Sequence, residues 1–148
     1  MKIVMGHDHG AFEYKKEIMS MLEQLGHTVI NVGCDGPESV DYPDYAYKVA
    51  QKVVQKEADL GIVMCGTGIG ISIACNKVKG IRCALCNDVT MARLTREHND
   101  ANVLSLGQRT TGIETAKDIV RTFIDTPFSN GPRHIQRIQK IAEIEKES

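Results

Sequence analysis

The feature that most constrains this chain is an alternation of short apolar runs with longer segments of helical period. The runs Ile3-Val4-Met5, Thr28-Val29-Ile30-Asn31-Val32, Leu60-Gly61-Ile62-Val63-Met64, Ile81-Arg82-Cys83-Ala84-Leu85 and Asn102-Val103-Leu104-Ser105-Leu106 have strand length. Between them, Ile18, Leu22 and Leu25 recur on one helix face, as do Ala46, Val49, Ala50, Val53 and Val54, and Ala116, Ile119, Val120, Phe123 and Ile124. Strands that are apolar throughout and joined by helices form a parallel sheet covered on both sides, because right-handed crossovers lay helices over each face. The expected fold class is therefore α/β, a three-layer sandwich with five strands. After Phe128, Ser129-Asn130-Gly131-Pro132 breaks the chain, and Ile135, Ile138, Ile141 and Ile144 mark an extra C-terminal helix with no strand after it. Such an appended helix often packs on a partner subunit.

A chain of 148 residues with 42% hydrophobic content fits one domain, residues 1–148, with a core large enough to serve both faces of a sheet. A formal net charge of -1 and the lack of a strongly basic stretch argue against nucleic acid or an anionic membrane as a partner. No apolar run has transmembrane length, and Lys2-Ile3-Val4-Met5 reads as the start of a strand and not as a signal peptide, so a cytoplasmic location is expected. The five cysteines are odd in number and lie mostly in or beside apolar segments, which reads as reduced thiols.

Ligands of open α/β sheets bind beyond the carboxyl ends of the strands, where strand order reverses. The first strand leads there into Gly6-His7-Asp8-His9-Gly10, and the third into Cys65-Gly66-Thr67-Gly68-Ile69-Gly70 before a helix. Glycines at 66, 68 and 70 allow tight turns in which successive N–H groups point at an anion. The spacing is not a dinucleotide fingerprint, since Ile71 stands where the third glycine would fall, and no Gly-Lys-Ser/Thr follows for a nucleotide triphosphate. Cys65 opens this turn, where the free N–H groups and helix start should favour a thiolate and make it a usable base. Cys75, Cys83 and Cys86 read instead as small apolar residues, and Cys83 and Cys86, three apart in an expected strand, do not form a redox pair. The His7-Asp8-His9 run has no second cluster of ligands elsewhere, so no metal is expected. If the strand continued through this run, Asp8 would face away from His7 and His9.

Basic residues gather late. Arg109 follows the fifth strand, and Arg133, His134 and Arg137 start the last helix, with the two arginines four apart on one face and able to grip a phosphate. His98 and Asn99 close the fourth helical segment, on the opposite side of the sheet from the strands' carboxyl ends, which suits a site completed by another subunit better than one within a single chain.

Taken together, His7-Asp8-His9-Gly10, Asp41-Tyr42-Pro43-Asp44, the Cys65 to Gly70 segment, Arg96-Glu97-His98-Asn99-Asp100-Ala101-Asn102 and Gly131-Pro132-Arg133-His134 resemble ribose 5-phosphate isomerase type B and its galactose 6-phosphate isomerase relatives. The likeness runs in order through nearly the whole chain, with Gly-Pro-Arg-His where the family often has Gly-Gly-Arg-His. It implies a Rossmann-like sheet, a homodimer with shared active sites that in some members pairs into a tetramer, and an enediol isomerase needing no cofactor. The family's base is the cysteine matched by Cys65; members without it use a glutamate at the position of Ile71 here. Ring opening is implied for His98 with Thr67 or Asp8. Gly66, Gly68 and Gly70 would hold the enediolate oxygen and Asn99 would contact the sugar. Arg109, Arg133 and Arg137, helped by His9 or His134, would hold the phosphate. A hexose 6-phosphate such as galactose or allose 6-phosphate would suit the same chemistry, and a non-catalytic phosphate-binding module would use the same turn and arginines without needing Cys65.

Overall fold

In a computed structural model, described here for residues 1–34, 36 and 38–148, the chain forms a five-stranded, all-parallel sheet with helices on both faces. In chain order the elements are β1 (Lys2–His7), α1 (Phe12–Gln24), β2 (Thr28–Asn31), α2 (Tyr42–Val54), β3 (Leu60–Cys65), α3 (Ile69–Cys75), β4 (Cys83–Leu85), α4 (Val89–Asn99), β5 (Val103–Gly107), α5 (Ile113–Asp125) and α6 (Pro132–Lys146). Strand order is β2-β1-β3-β5-β4.

The pleat of the strands divides the core in two. Ile3 and Met5 of β1, Ile62 and Met64 of β3, and Leu104 and Leu106 of β5 share one face with Ile18, Leu22, Ile119 and Phe123 from α1 and α5. The intervening residues Val4, Val63, Cys65 and Val103 point the other way, onto Val49, Ala50 and Val53 of α2 and Ile71 and Cys75 of α3. Both faces are filled because each residue of a central strand buries whichever way it points. Burying one such aliphatic side chain contributes about 1.5–3 kcal/mol.

Two elements differ from the sequence pattern. The fourth apolar run is expected over 81–85, but β4 begins only at Cys83. The Arg82 N–H donates to Asn102 Oδ1 at 2.8 Å and the Ile81 N–H to the Val78 carbonyl, so side-chain and turn bonds replace the ladder there. On the free edge of β4, Asn76 brackets Cys83, its Oδ1 accepting from the Cys83 N–H at 2.8 Å and its Nδ2 donating to the Cys83 carbonyl at 2.9 Å. That side chain closes an edge strand that would otherwise invite pairing with another chain. The second difference is that β1 stops at His7, and Asp8 caps a single 3-10 turn over His9–Ala11. Alternation of faces therefore does not extend to Asp8 and His9.

The last helix, α6, has no buried residue, and Ile135, Ile141 and Ile144 are exposed on it. Among the described residues, no helix is long and apolar enough to cross a membrane.

Phe123, fully buried on α5 with the Arg96 guanidinium 5.7 Å from its ring, is a keystone of the first core face. Phe123→Ala should lower unfolding free energy by about 3–5 kcal/mol, read from the urea midpoint at unchanged m-value.

Candidate active site

After β1 the chain turns to α1 on one face, and after β3 to α3 on the other, so the carboxyl ends of these neighbouring strands open a crevice. The two loops meet there: a Cβ on Gly10 would lie 3.2 Å from the Gly66 nitrogen. Asp8 is almost wholly buried, its N–H donating to the Met64 carbonyl at 3.2 Å and its Oδ1 accepting from the Gly10 N–H at 2.8 Å. His9 turns outward, where its Nδ1 accepts from the Val40 N–H at 3.1 Å, which leaves Nε2–H free to donate.

Cys65 is the last residue of β3, only 6% exposed. Its Sγ accepts a hydrogen bond from the Gly68 N–H at 3.1 Å. Gly68 is left-handed, with φ +76, and a Cβ there would strike Leu85 and the Leu106 backbone within 2.9 Å. Only glycine turns the chain at this point so that its N–H faces back to the sulfur. The Ile69 N–H is taken by Thr67 Oγ1 at 3.2 Å, and the N–H groups of Gly70 and Ile71, in the first turn of α3, have no acceptor within the helix. The end of β5 is laced to the same loop: the Gln108 N–H donates to the Cys65 carbonyl at 3.0 Å and the Arg109 N–H to the Gly66 carbonyl at 2.8 Å. Gly107 approaches so closely that a Cβ would lie 2.5 Å from the Thr67 carbonyl. The aliphatic stem of Arg109 runs beside Gly66, and the exposed guanidinium thus belongs to the crevice.

The other cysteines are set differently. Cys34, Cys75 and Cys86 each donate S–H to a backbone carbonyl, of Gly36, Ala46 and Ala84. Burial, with the Asp88 charge adding, pushes the Cys86 thiol up to about 12, and a thiol–thiol hydrogen bond with Cys75 followed by burial holds Cys83 well above the ordinary range. Among the described residues, Cys65 alone has a sulfur that receives a backbone N–H.

His98, Asn99, Arg133, His134 and Arg137 form a second group, away from Cys65. Helix α4 runs antiparallel to the strands for 11 residues, about 16 Å, and so delivers its last turn to the amino edge of the sheet. Arg82, just ahead of β4, donates to the Asn99 and Asp100 carbonyls there. The His98 ring stacks on His134 with centroids 4.3 Å apart, and His134 Nδ1 lies 3.0 Å from Ser129 Oγ. Arg133 and Arg137 stand exposed on α6. Within one chain these residues and Cys65 occupy opposite edges of the sheet.

Two residues of the crevice have no role in the sequence pattern. The Tyr42 ring lies over Gly70, where a Cβ would come within 2.6 Å of it; its motif is visible in the sequence, but its contact with the glycine turn arises only through folding. His7 is fully buried at the end of β1, its Nδ1 3.0 Å from the Asp8 carbonyl, which makes Nδ1 the protonated nitrogen, and its Nε2 has no partner among the described residues. Among the described residues, no group of three or more His, Cys, Asp or Glu side chains is placed to hold a metal ion.

A parallel sheet with an N–H-bonded cysteine at its switch point and cations at hand is the architecture of an α/β enzyme acting on small anionic substrates. The family model described as Ribose/Galactose Isomerase matches residues 3–141, and the chain belongs to that family. It is 46% identical over 145 residues to ribose-5-phosphate isomerase B of Escherichia coli (strain K12), covering 98% of this chain and 97% of that one. The solved ribose-5-phosphate isomerase B of Clostridium thermocellum superposes with a TM-score of 0.97 at 54% identity, covering 99% of both chains. A Mycoplasma genitalium ribose-5-phosphate isomerase B, solved with bound ribulose-5-phosphate, superposes with a TM-score of 0.94 at 40% identity, over 99% of this chain and 97% of that one.

Burial holds the His7 imidazole below its ordinary value of 6.5, with Lys15 adding to the effect and the Asp8 carbonyl and carboxylate opposing it. The unfolded chain therefore binds the proton first as pH falls, and stability present above about pH 6.5 is lost below it. Between pH 7.5 and 5.5 the Tm of His7→Asn should fall less than that of the wild type; an equal fall would show that other groups set the acid limb.

Proposed function

We propose that the chain interconverts ribose 5-phosphate and ribulose 5-phosphate through an enediolate, with Cys65 as the base. The observation that carries this reading is the Gly68 N–H on Cys65 Sγ, a contact that an anionic sulfur accepts more strongly than a neutral one. The relatives' activity, and the ribulose-5-phosphate bound to one of them, supply the substrate class.

In the proposed sequence, His98 with Thr67 or Asp8 moves the protons that open the sugar ring, and the phosphate is held by Arg109, Arg133 and Arg137 with His9 or His134 assisting. Asn99 contacts the sugar. The Cys65 thiolate then removes the C2 proton, the C2 electron pair forms the C1–C2 double bond, and the former carbonyl oxygen becomes an enediolate oxygen. N–H groups of the turn at 66 and 70 stabilise that charge, while the carbon chain of the sugar passes the Gly68 corner, whose own N–H stays on the sulfur. The C2 hydroxyl proton passes to the oxygen on C1, and as the C2–O bond becomes a carbonyl the C1–C2 electron pair takes the proton back from sulfur at C1, which yields the ketose and restores the thiolate; no electrons leave the substrate and no cofactor is required.

One chain does not bring His98 to Cys65, so the reading includes a homodimer in which each site takes His98, Asn99, Arg133 and Arg137 from the partner. The exposed isoleucines of α6 fit that assembly. Five free thiols fit a cytoplasmic location.

Among pentose 5-phosphates and hexose 6-phosphates, ketose formation should be fastest from ribose 5-phosphate, and Cys65→Ala should lose roughly two to four orders of magnitude in turnover while folding normally. Near-native turnover would remove Cys65 as the base, and a hexose phosphate preference would move the substrate. The shared site has its own test: mixing inactive Cys65→Ala with inactive His98→Asn protein under subunit exchange should restore activity, whereas sites lying within single chains would give none.

A further inference from the structure

We propose that Ser105 is a positioning residue for Cys65, acting through Gly68; this rests on the reading of Cys65 as the base. Ser105 is fully buried in the middle of β5, paired in register with Val63, on the sheet face that also carries Cys65. Its neighbours along that strand, Val103, Leu104 and Leu106, are apolar and equally buried. A hydroxyl at such a position is unfavourable unless it is bonded. Among the described residues it has one partner: Oγ donates to the Gly68 carbonyl at 2.6 Å.

Gly68 is the residue whose N–H reaches Cys65 Sγ, and Ser105 grips the same residue from its other end. Among the described residues, the Gly68 carbonyl otherwise accepts only the first bond of α3, from the Ser72 N–H at 3.3 Å. With its φ at +76, Gly68 lacks the steric walls that restrict other residues, so its setting depends on what holds its two polar groups. The hydroxyl anchors the carbonyl toward the sheet, and the N–H is thereby kept on the sulfur. Removing the hydroxyl leaves the long helix bond alone, and the glycine gains freedom to turn its N–H away from Cys65. Ser105 touches neither substrate nor sulfur, and its effect should fall on the chemical step and not on binding.

The test compares Ser105→Ala with Val103→Ala, which takes more volume out of the same strand without touching Gly68. In the amide spectrum of the full chain, Ser105→Ala should speed solvent exchange of the Gly68 N–H, and kcat for ribose 5-phosphate should fall about tenfold with KM within about twofold. Val103→Ala should lower Tm and leave both the Gly68 amide and kcat in place. Unchanged Gly68 exchange in Ser105→Ala would overturn the proposal, as would an equal loss of kcat in Val103→Ala, which would make the effect one of packing. If Cys65→Ala itself turned over normally, the reading of the base would fall while the Gly68 exchange result stood, so the two failures are told apart.

Discussion

A parallel sheet covered on both faces leaves polar side chains almost nowhere to go but its two edges, and everything chemical in this molecule follows from that constraint. The buried positions of β1, β3 and β5 are filled by apolar residues, with Ser105 in mid-strand and His7 at the end of β1 the polar exceptions. Groups that must meet water and a charged ligand are therefore displaced to strand ends and helix ends. The carboxyl edge receives Asp8, His9, the Cys65 turn and Arg109. The amino edge receives the last turn of α4, with His98 and Asn99, and beside it the start of α6.

The same constraint sets the two groups of candidate site residues apart within one chain. A helix that returns from one strand to the start of the next must end at the opposite edge from the strand's carboxyl end, so a residue on its last turn cannot reach a site at that end of its own sheet. Arg133 and Arg137 on α6, a helix with no buried residue, add to the imbalance. Folding satisfies the core and leaves the two groups apart, and the gap is what gives the proposed pairing of chains its physical reason.

The periodicity of the sequence was enough for the layers, the five strands and the appended helix, because burial on both sheet faces writes a pattern that needs no knowledge of partners. Cys65, Thr67 and Arg109 were legible for a related reason: a glycine turn after a buried strand and an arginine after the next are local signals, and the register Cys65 to Gly107 brings them together. What could not be read was side-chain bonding across long sequence separations. The shortened β4 depends on Asn76 and Asn102, the burial of His7 on the Gly33-Cys34 segment, and the aim of Gly68 on a serine 37 residues away. Alternation through His7-Asp8-His9 likewise gave way to a cap, because the Asp8 carboxylate bonds the Gly10 N–H and ends the strand.

Five thiols in one sheet protein pose a question of selectivity that burial alone does not answer, since Cys65 is about as buried as Cys34. The difference lies in the direction of the hydrogen bond. Cys34, Cys75 and Cys86 give their protons to backbone carbonyls, and Cys34 has the His7 Nδ1 3.7 Å from its sulfur besides. Cys65 faces a donor instead, supplied by a residue that only glycine can be, at the mouth of the crevice where a substrate carbon can approach. Moving that donor by one peptide would take away the contact that sets Cys65 apart from Cys34, Cys75 and Cys86. On the proposed reading of Cys65 as the base, the site thus depends less on the presence of a cysteine than on the backbone turn that addresses it.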